Sequence, residues 1–187
     1  MNAKSMQAEW LETSDLERFR HELEGEALVR MFDFWLDGLS GEVPPQKNAI
    51  VPLSLGKLLK RTFLYEYVSQ HENFFLQVAG EDILDAHNGH HRRGAALDDN
   101  IPPMTFAVTK RRWTFYVNKP AVMFIKREIG NTTYSRRIVV PVVDGSRSYI
   151  LGATEYLGTE RGPNPFHVDE PSNYAVALSL ESIAKQL

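Results

Sequence analysis

The sequence contains no cysteine. A disulfide scaffold, a thiolate zinc site, thiol redox chemistry and a cysteine nucleophile are excluded together. No apolar run approaches the ~20 residues that span a bilayer, and Met1 to Trp10 lacks the apolar core of a signal peptide. These absences set the expectation of a cytoplasmic chain with no membrane contact. A dominant charge is missing too. Lys and Arg number 21 against 24 Asp and Glu, a net charge of -3, without the concentrated basic face that nucleic-acid binders use. No nucleic-acid partner is expected. Gly38-Leu39-Ser40-Gly41 is no phosphate loop, because neither the following lysine nor the preceding strand is there. Ser146 and Ser148 sit in a tight hairpin and not on the strand-to-helix elbow a nucleophilic serine needs. No internal repeat or low-complexity segment is present.

What remains is ordinary for a globular protein: 43% hydrophobic and 24% charged residues. The 187 residues suit one domain of roughly 100–200 residues, long enough to bury a core without staples.

Periodicity then divides the chain. Ser14-Asp15-Leu16-Glu17 reads as a capping box. Leu16, Phe19, Leu23, Ala27, Met31 and Phe34 or Trp35 follow at helical spacing, which predicts one long amphipathic helix ending at Gly38. Pro44-Pro45 marks a connection, and Pro52 opens a short helix carrying Leu55, Leu58 and Leu59. Phe63 to Val68 and Phe74 to Val78 are aromatic and β-rich, and predict a hairpin. Glu81 to His87 reads as a short helix broken at Asn88-Gly89. Met104 to Val117 reads as a helix with Phe106, Trp113 and Val117 on one face. Three strands follow: Ala121 to Ile129, Thr132 to Val143, and Arg147 to Tyr156. Gly130-Asn131 and Asp144-Gly145 join them, the second pair being a strong hairpin signal. The unalternating Val139, Val140, Val142 and Val143 imply a sheet covered on both faces. The tail from Tyr174 alternates like a strand and then fits a helix.

The fold class expected is α+β: a five-stranded antiparallel sheet, a central helical crossover and an N-terminal amphipathic helix. The chain divides into a flexible N-terminus (1–13), N-terminal helices (14–60), a core (61–157) and a C-terminal extension (158–187). Two strands, a helical crossover and a three-stranded meander is the element order of a PAS domain. Three blocks resemble the small free-standing PAS-type proteins of proteobacteria. They are Phe34-Trp35-Leu36-Asp37-Gly38 with Val43-Pro44-Pro45 and Ile50-Val51-Pro52; Phe75-Leu76-Gln77-Val78-Ala79-Gly80 with Ile83, Asn88-Gly89 and Gly94; and Val139-Val140-Pro141-Val142 with Asp144-Gly145 and Ile150-Leu151-Gly152-Ala153. Where that subfamily usually opens its second strand with arginine, this chain has Asn73-Phe74. The resemblance implies a sensory or regulatory module, not an enzyme, that binds a small ligand or a protein partner and signals by contact.

Candidate sites follow from this frame. A PAS-like pocket would draw on Phe75, Gln77, Ile83, Phe106, Trp113, Met123, Phe124 and Leu151, with Gln77 as an orienting hydrogen bonder in an apolar wall. The same residues would otherwise fill a dry core. His87, His90 and His91, near Asp85, are the weak candidates for a metal, and His87 or His90 for a haem, but two arginines adjoin them and zinc sites usually offer three or four well-spaced ligands. The sequence requires no cofactor. Lys110, Arg111 and Arg112 beside Trp113, Phe115 and Tyr116 mix basic and aromatic character, most simply as an amphipathic helix with its basic face in water. Leu16, Phe19, Leu23, Met31 and Trp35 would either fold over the chain's own sheet or form a homodimer interface. Two rival readings are a pocket enzyme of the isomerase or dehydratase kind, with Glu66, Lys126 or Glu128 as its inward ionisable group, and a ligand-free structural interaction domain.

Overall fold

The valine run of residues 139–143 lies where its composition requires, in the middle of a sheet covered on both faces. The structure, a computed structural model, describes residues 11–50, 55–87, 91–101, 103–129, 132–157 and 172–187. Seven strands form the sheet: β1 Leu11–Thr13, β2 Thr62–Val68, β3 Asn73–Ala79, β4 Ala121–Ile129, β5 Thr132–Asp144, β6 Arg147–Tyr156 and β7 Ser172–Ser179. Their order across it is β1-β7-β4-β5-β6-β2-β3. β1 runs parallel to β7 and every other pairing is antiparallel. The class is therefore α+β, but the sheet is mixed and seven-stranded where five antiparallel strands were expected.

The two additional strands come from segments assigned to a flexible start and a C-terminal extension. β7 pairs along β4 from Ala121 opposite Ser179 to Glu128 opposite Ser172, and β1 pairs with β7 in turn. Left alone, β4 would present a row of unpaired backbone groups. The tail supplies the partner.

One face carries helices α1 Leu16–Glu22 and α2 Glu26–Asp37, with the closing helix α6 Leu180–Ala184 contributing Leu180 and Ile183 to the same cluster. The single long helix expected over 14–36 is broken. Gly25 has φ +110, a backbone conformation open to glycine at little cost, and the apolar stripe continues across the break. The cap also differs from expectation: the Asp15 carboxylate, not the Ser14 hydroxyl, accepts from the Arg18 amide at 2.9 Å. Leu16, Phe19, Leu23, Met31 and Trp35 are all buried against the chain's own β-strands. They do not form an exposed dimer face. The short helix expected at Pro52 begins outside the described residues; a 3-10 turn at Gly56–Arg61 continues from it and buries Leu58.

The opposite face carries the crossover between β3 and β4: α3 Glu81–Ala86, α4 Leu97–Asn100 and α5 Pro103–Asn118. Backbone bonds from Leu76 to Ala95 (3.0 Å) and from Gly94 to Leu76 (2.7 Å) lay residues 94–96 along the outer edge of β3. The result is three layers, with the sheet in the middle. No described helix is long and apolar enough to cross a membrane.

Candidate functional site

Trp113 on α5 anchors the crossover to the sheet. Its ring stacks on Phe63 at 5.9 Å and meets Tyr65 at 5.2 Å and Phe74 at 5.3 Å, edge-on in the last case. Phe63 can lie flat there because Gly152 is beneath it; a Cβ at that position would run into the Phe63 ring and the Ile138 carbonyl. Beside this cluster the layers part, and a cavity of ≈ 30 Å³ opens between sheet and crossover, room for about two water molecules.

Its walls are of two kinds. Phe63, Ile83, Leu97, Ile101 and Trp113 form an apolar side. The other side is polar and cationic: His87 and His91 from the crossover, Thr105 and Thr109 from α5, Arg127 from β4, and Tyr134 and Arg137 from β5. Tyr65 lies between the two. None of these lining residues is an aspartate or glutamate.

The two histidines are buried, with ring centroids 4.0 Å apart. His87 stands at the C-terminal cap of α3 and His91 four residues further along the chain. His90 and Asn88-Gly89 lie outside the described residues. Among the described residues no group of three His, Asp or Glu side chains could hold a metal ion.

Arg137 is held firmly. Its Nε donates to the Thr154 hydroxyl at 2.8 Å, and its guanidinium lies 4.9 Å from the centre of the Phe63 ring. Arg137 is half-buried, and burial of its head group, then the neighbouring Arg127, lowers its pKa from the ordinary arginine value. Nearby phenol oxygens of Tyr156, Tyr65 and Tyr134 act in the opposite direction. Tyr156 is partly exposed; desolvation raises the pKa of its phenol, and Arg137 and Arg127 partly offset the rise, Arg137 also through a hydrogen bond. Burial likewise holds the Tyr65 phenol far above its usual range. The Tyr65 hydroxyl faces Arg137 and Asn100, but no partner reaches good hydrogen-bond geometry.

Of the eight pocket candidates read from sequence, Ile83 and Trp113 line the cavity. Phe124 and Leu151 are buried under α1 and α2 on the other face. Met123 is buried on the cavity's face of the sheet but outside its lining, and Phe106 packs half-buried at the margin of the same cluster. Phe75 projects away and meets His71. Gln77 is the extra residue of a β-bulge, half-buried and outside the lining. Glu66, Lys126 and Glu128 belong to the opposite face, where Lys126 lies 3.4 Å from Glu24 and 3.9 Å from Glu128, and Arg147 lies 3.8 Å from Glu66. Arg112 is buried while Arg111 is exposed, so the basic run does not form one surface. Asn73, standing where an arginine was expected, bridges locally: it donates to Asp98 at 2.9 Å and accepts from the Phe74 amide at 2.9 Å.

Sequence reasoning missed Arg127, Tyr134 and Arg137. A usable signal existed: a strand covered on both faces cannot send both Arg136 and Arg137 to water. Compared with protein-family models, curated proteins and solved structures, the chain matches none.

Proposed function

We propose that this chain is a PAS-like sensory module that binds a small ligand between its sheet and the helical crossover and reports occupancy to a protein partner in the cytoplasm. The observation that carries the reading is the cavity itself, an aromatic wall facing a cluster of fixed polar groups, the usual recipe for a small-molecule site. The arrangement of the strands supports the family part of the reading. The hairpin β2-β3 and the meander β4-β5-β6 are contiguous and antiparallel, joined through β2 and β6, and the segment between β3 and β4 roofs the cavity. β7 and β1 extend that arrangement at the β4 edge. Signalling by contact follows because a ligand larger than two waters must displace the roof. Function rests on this site and not on the fold, since one fold serves many roles.

Native mass spectrometry of protein purified gently from its source cells tests the proposal. The expected result is a small molecule retained by the wild type and lost in Thr109→Trp, which fills the cavity from α5. A wild-type protein that carries no added mass, and binds nothing from a small-molecule extract of those cells, contradicts it.

A further inference from the structure

We infer that the polar end of the cavity is an oxyanion site, in which Arg137 and Arg127 hold the carboxylate or phosphate group of a small ligand. This rests on the ligand-cavity reading above and narrows it to a chemistry.

The argument begins with what Arg137 lacks. Its chain neighbour Arg136 points to the other face and meets Glu24 at 2.6 Å. Among the described residues no carboxylate lies within ion-pair distance of Arg137 or of Arg127. A guanidinium cannot escape burial by shedding its proton. An enclosed charge without a counter-ion is costly, and a second cation beside it adds to the cost. Phe63 and Thr154 orient the group without neutralising it. An incoming anion is the one ligand class that recovers this cost. A cation would be repelled, and a neutral molecule would leave both charges uncompensated.

Geometry agrees with charge. Thr154 takes Nε and the Tyr156 hydroxyl takes a further hydrogen bond from the guanidinium, which leaves the rest of the planar group to the cavity that Arg137 lines. Such a fork suits two oxygens of a carboxylate or phosphate. The buried Tyr65 hydroxyl, without a well-placed partner of its own, supplies a further donor. A carboxylate or phosphate exceeds the ≈ 30 Å³ now open, so it enters by displacing the roof, with the rest of the ligand toward the aromatic wall at Trp113.

Thermal shift and titration calorimetry at constant ionic strength test this with three probes: inorganic phosphate, acetate, and acetamide as the neutral isostere of acetate. Wild type is compared with Arg137→Gln, Arg137→Lys and the exposed control Lys57→Gln. Phosphate stabilises proteins non-specifically, so Arg137→Gln also measures that background. The expected result is saturable binding of phosphate or acetate at millimolar concentrations. It weakens about 100-fold in Arg137→Gln, weakens less in Arg137→Lys, and is unchanged in Lys57→Gln. Preference for phosphate identifies a phosphate-bearing ligand, and preference for acetate a carboxylate. Acetamide binding as well as acetate, with both retained in Arg137→Gln, overturns the anion assignment and leaves the cavity reading intact. Silence from all three probes also overturns it, and the cavity reading then stands or falls on the retained mass described above.

Discussion

Arg136 and Arg137 are consecutive on β5, yet one is ion-paired with Glu24 at 2.6 Å and the other faces an aromatic ring and a threonine. Strand geometry sends neighbours to opposite faces, and the two faces of this sheet differ in charge. The face under α1 and α2 offers carboxylates; the cavity face offers further cations.

Removing the two side chains therefore has opposite effects. Arg136→Gln breaks a partly exposed pair and costs about 0.5–1 kcal/mol. Arg137→Met removes a desolvated charge that has no carboxylate within ion-pair distance among the described residues and raises stability by about 1 kcal/mol, or roughly 2–4 °C for a chain of this length. Urea denaturation in a chloride buffer free of other anions checks both. A loss of stability in Arg137→Met would make the guanidinium a structural group and not a stored charge.

The break between α1 and α2 is a second test. The Glu155 carboxylate accepts from the Ala27 amide at 3.3 Å and from Arg61 at 3.2 Å, and it occupies the space a Cβ on Gly25 would need. With φ at +110, Gly25→Ala is strained by about 1–3 kcal/mol and also displaces Glu155. A midpoint shift measured by circular dichroism should lie in that range; an unchanged midpoint would mean that the break does not need glycine.

Trp35 ties α2 to the sheet by donating from Nε1 to the Pro141 carbonyl at 2.7 Å, in a fully buried setting. Trp35→Phe loses that bond and leaves space, costing about 2–3 kcal/mol together. Ligand binding in the cavity should be little affected, because Trp35 lies on the other face. A variant that binds tenfold more weakly while still folded would contradict the separation of the two faces.

Tyrosine ionisation gives a pH dependence with a definite sign. Burial raises the pKa of Tyr65, of Tyr116 and of Tyr156. In the unfolded chain these phenols ionise near pH 10, so the folded state holds protons the unfolded state has released. Their contribution is complete below about pH 10 and is lost as pH rises further, by about 1.4 kcal/mol per pH unit for each of the buried Tyr65 and Tyr116 and by less for the exposed Tyr156. Urea midpoints followed from neutral to alkaline pH should fall above that point, less steeply in Tyr65→Phe. Ionisation of all seven tyrosines in the ordinary range, with the fold intact, would refute the burial of these groups.

Much of the fold is legible in the sequence, and the gaps have physical causes. The Asp144-Gly145 turn is readable because its chemistry is local: Gly145 has φ +58. The break at Gly25 is not, because the apolar stripe runs through it in register and a lone glycine is a weak signal. The alternation of β7 is visible, but which edge it pairs with depends on β4, some fifty residues away. The pocket candidates are apolar side chains of the expected strands and crossover helices, with Gln77 as their polar member. That criterion finds Ile83 and Trp113 but does not tell the two faces apart, so it also takes in Phe124 and Leu151. It misses Arg137, which in sequence resembles any solvated arginine until its surroundings are known.

Ligand binding on the cavity face, as proposed, has a separate reporter on each side of the sheet in the two described tryptophans. Trp113 lines the cavity and Trp35 is buried beneath α2 on the far side. The direct test is to follow both indole N–H resonances by NMR while a deproteinised extract of the source cells is added. Movement of the Trp113 signal with the Trp35 signal fixed is the predicted result. A silent Trp113, or movement confined to Trp35, would contradict the account.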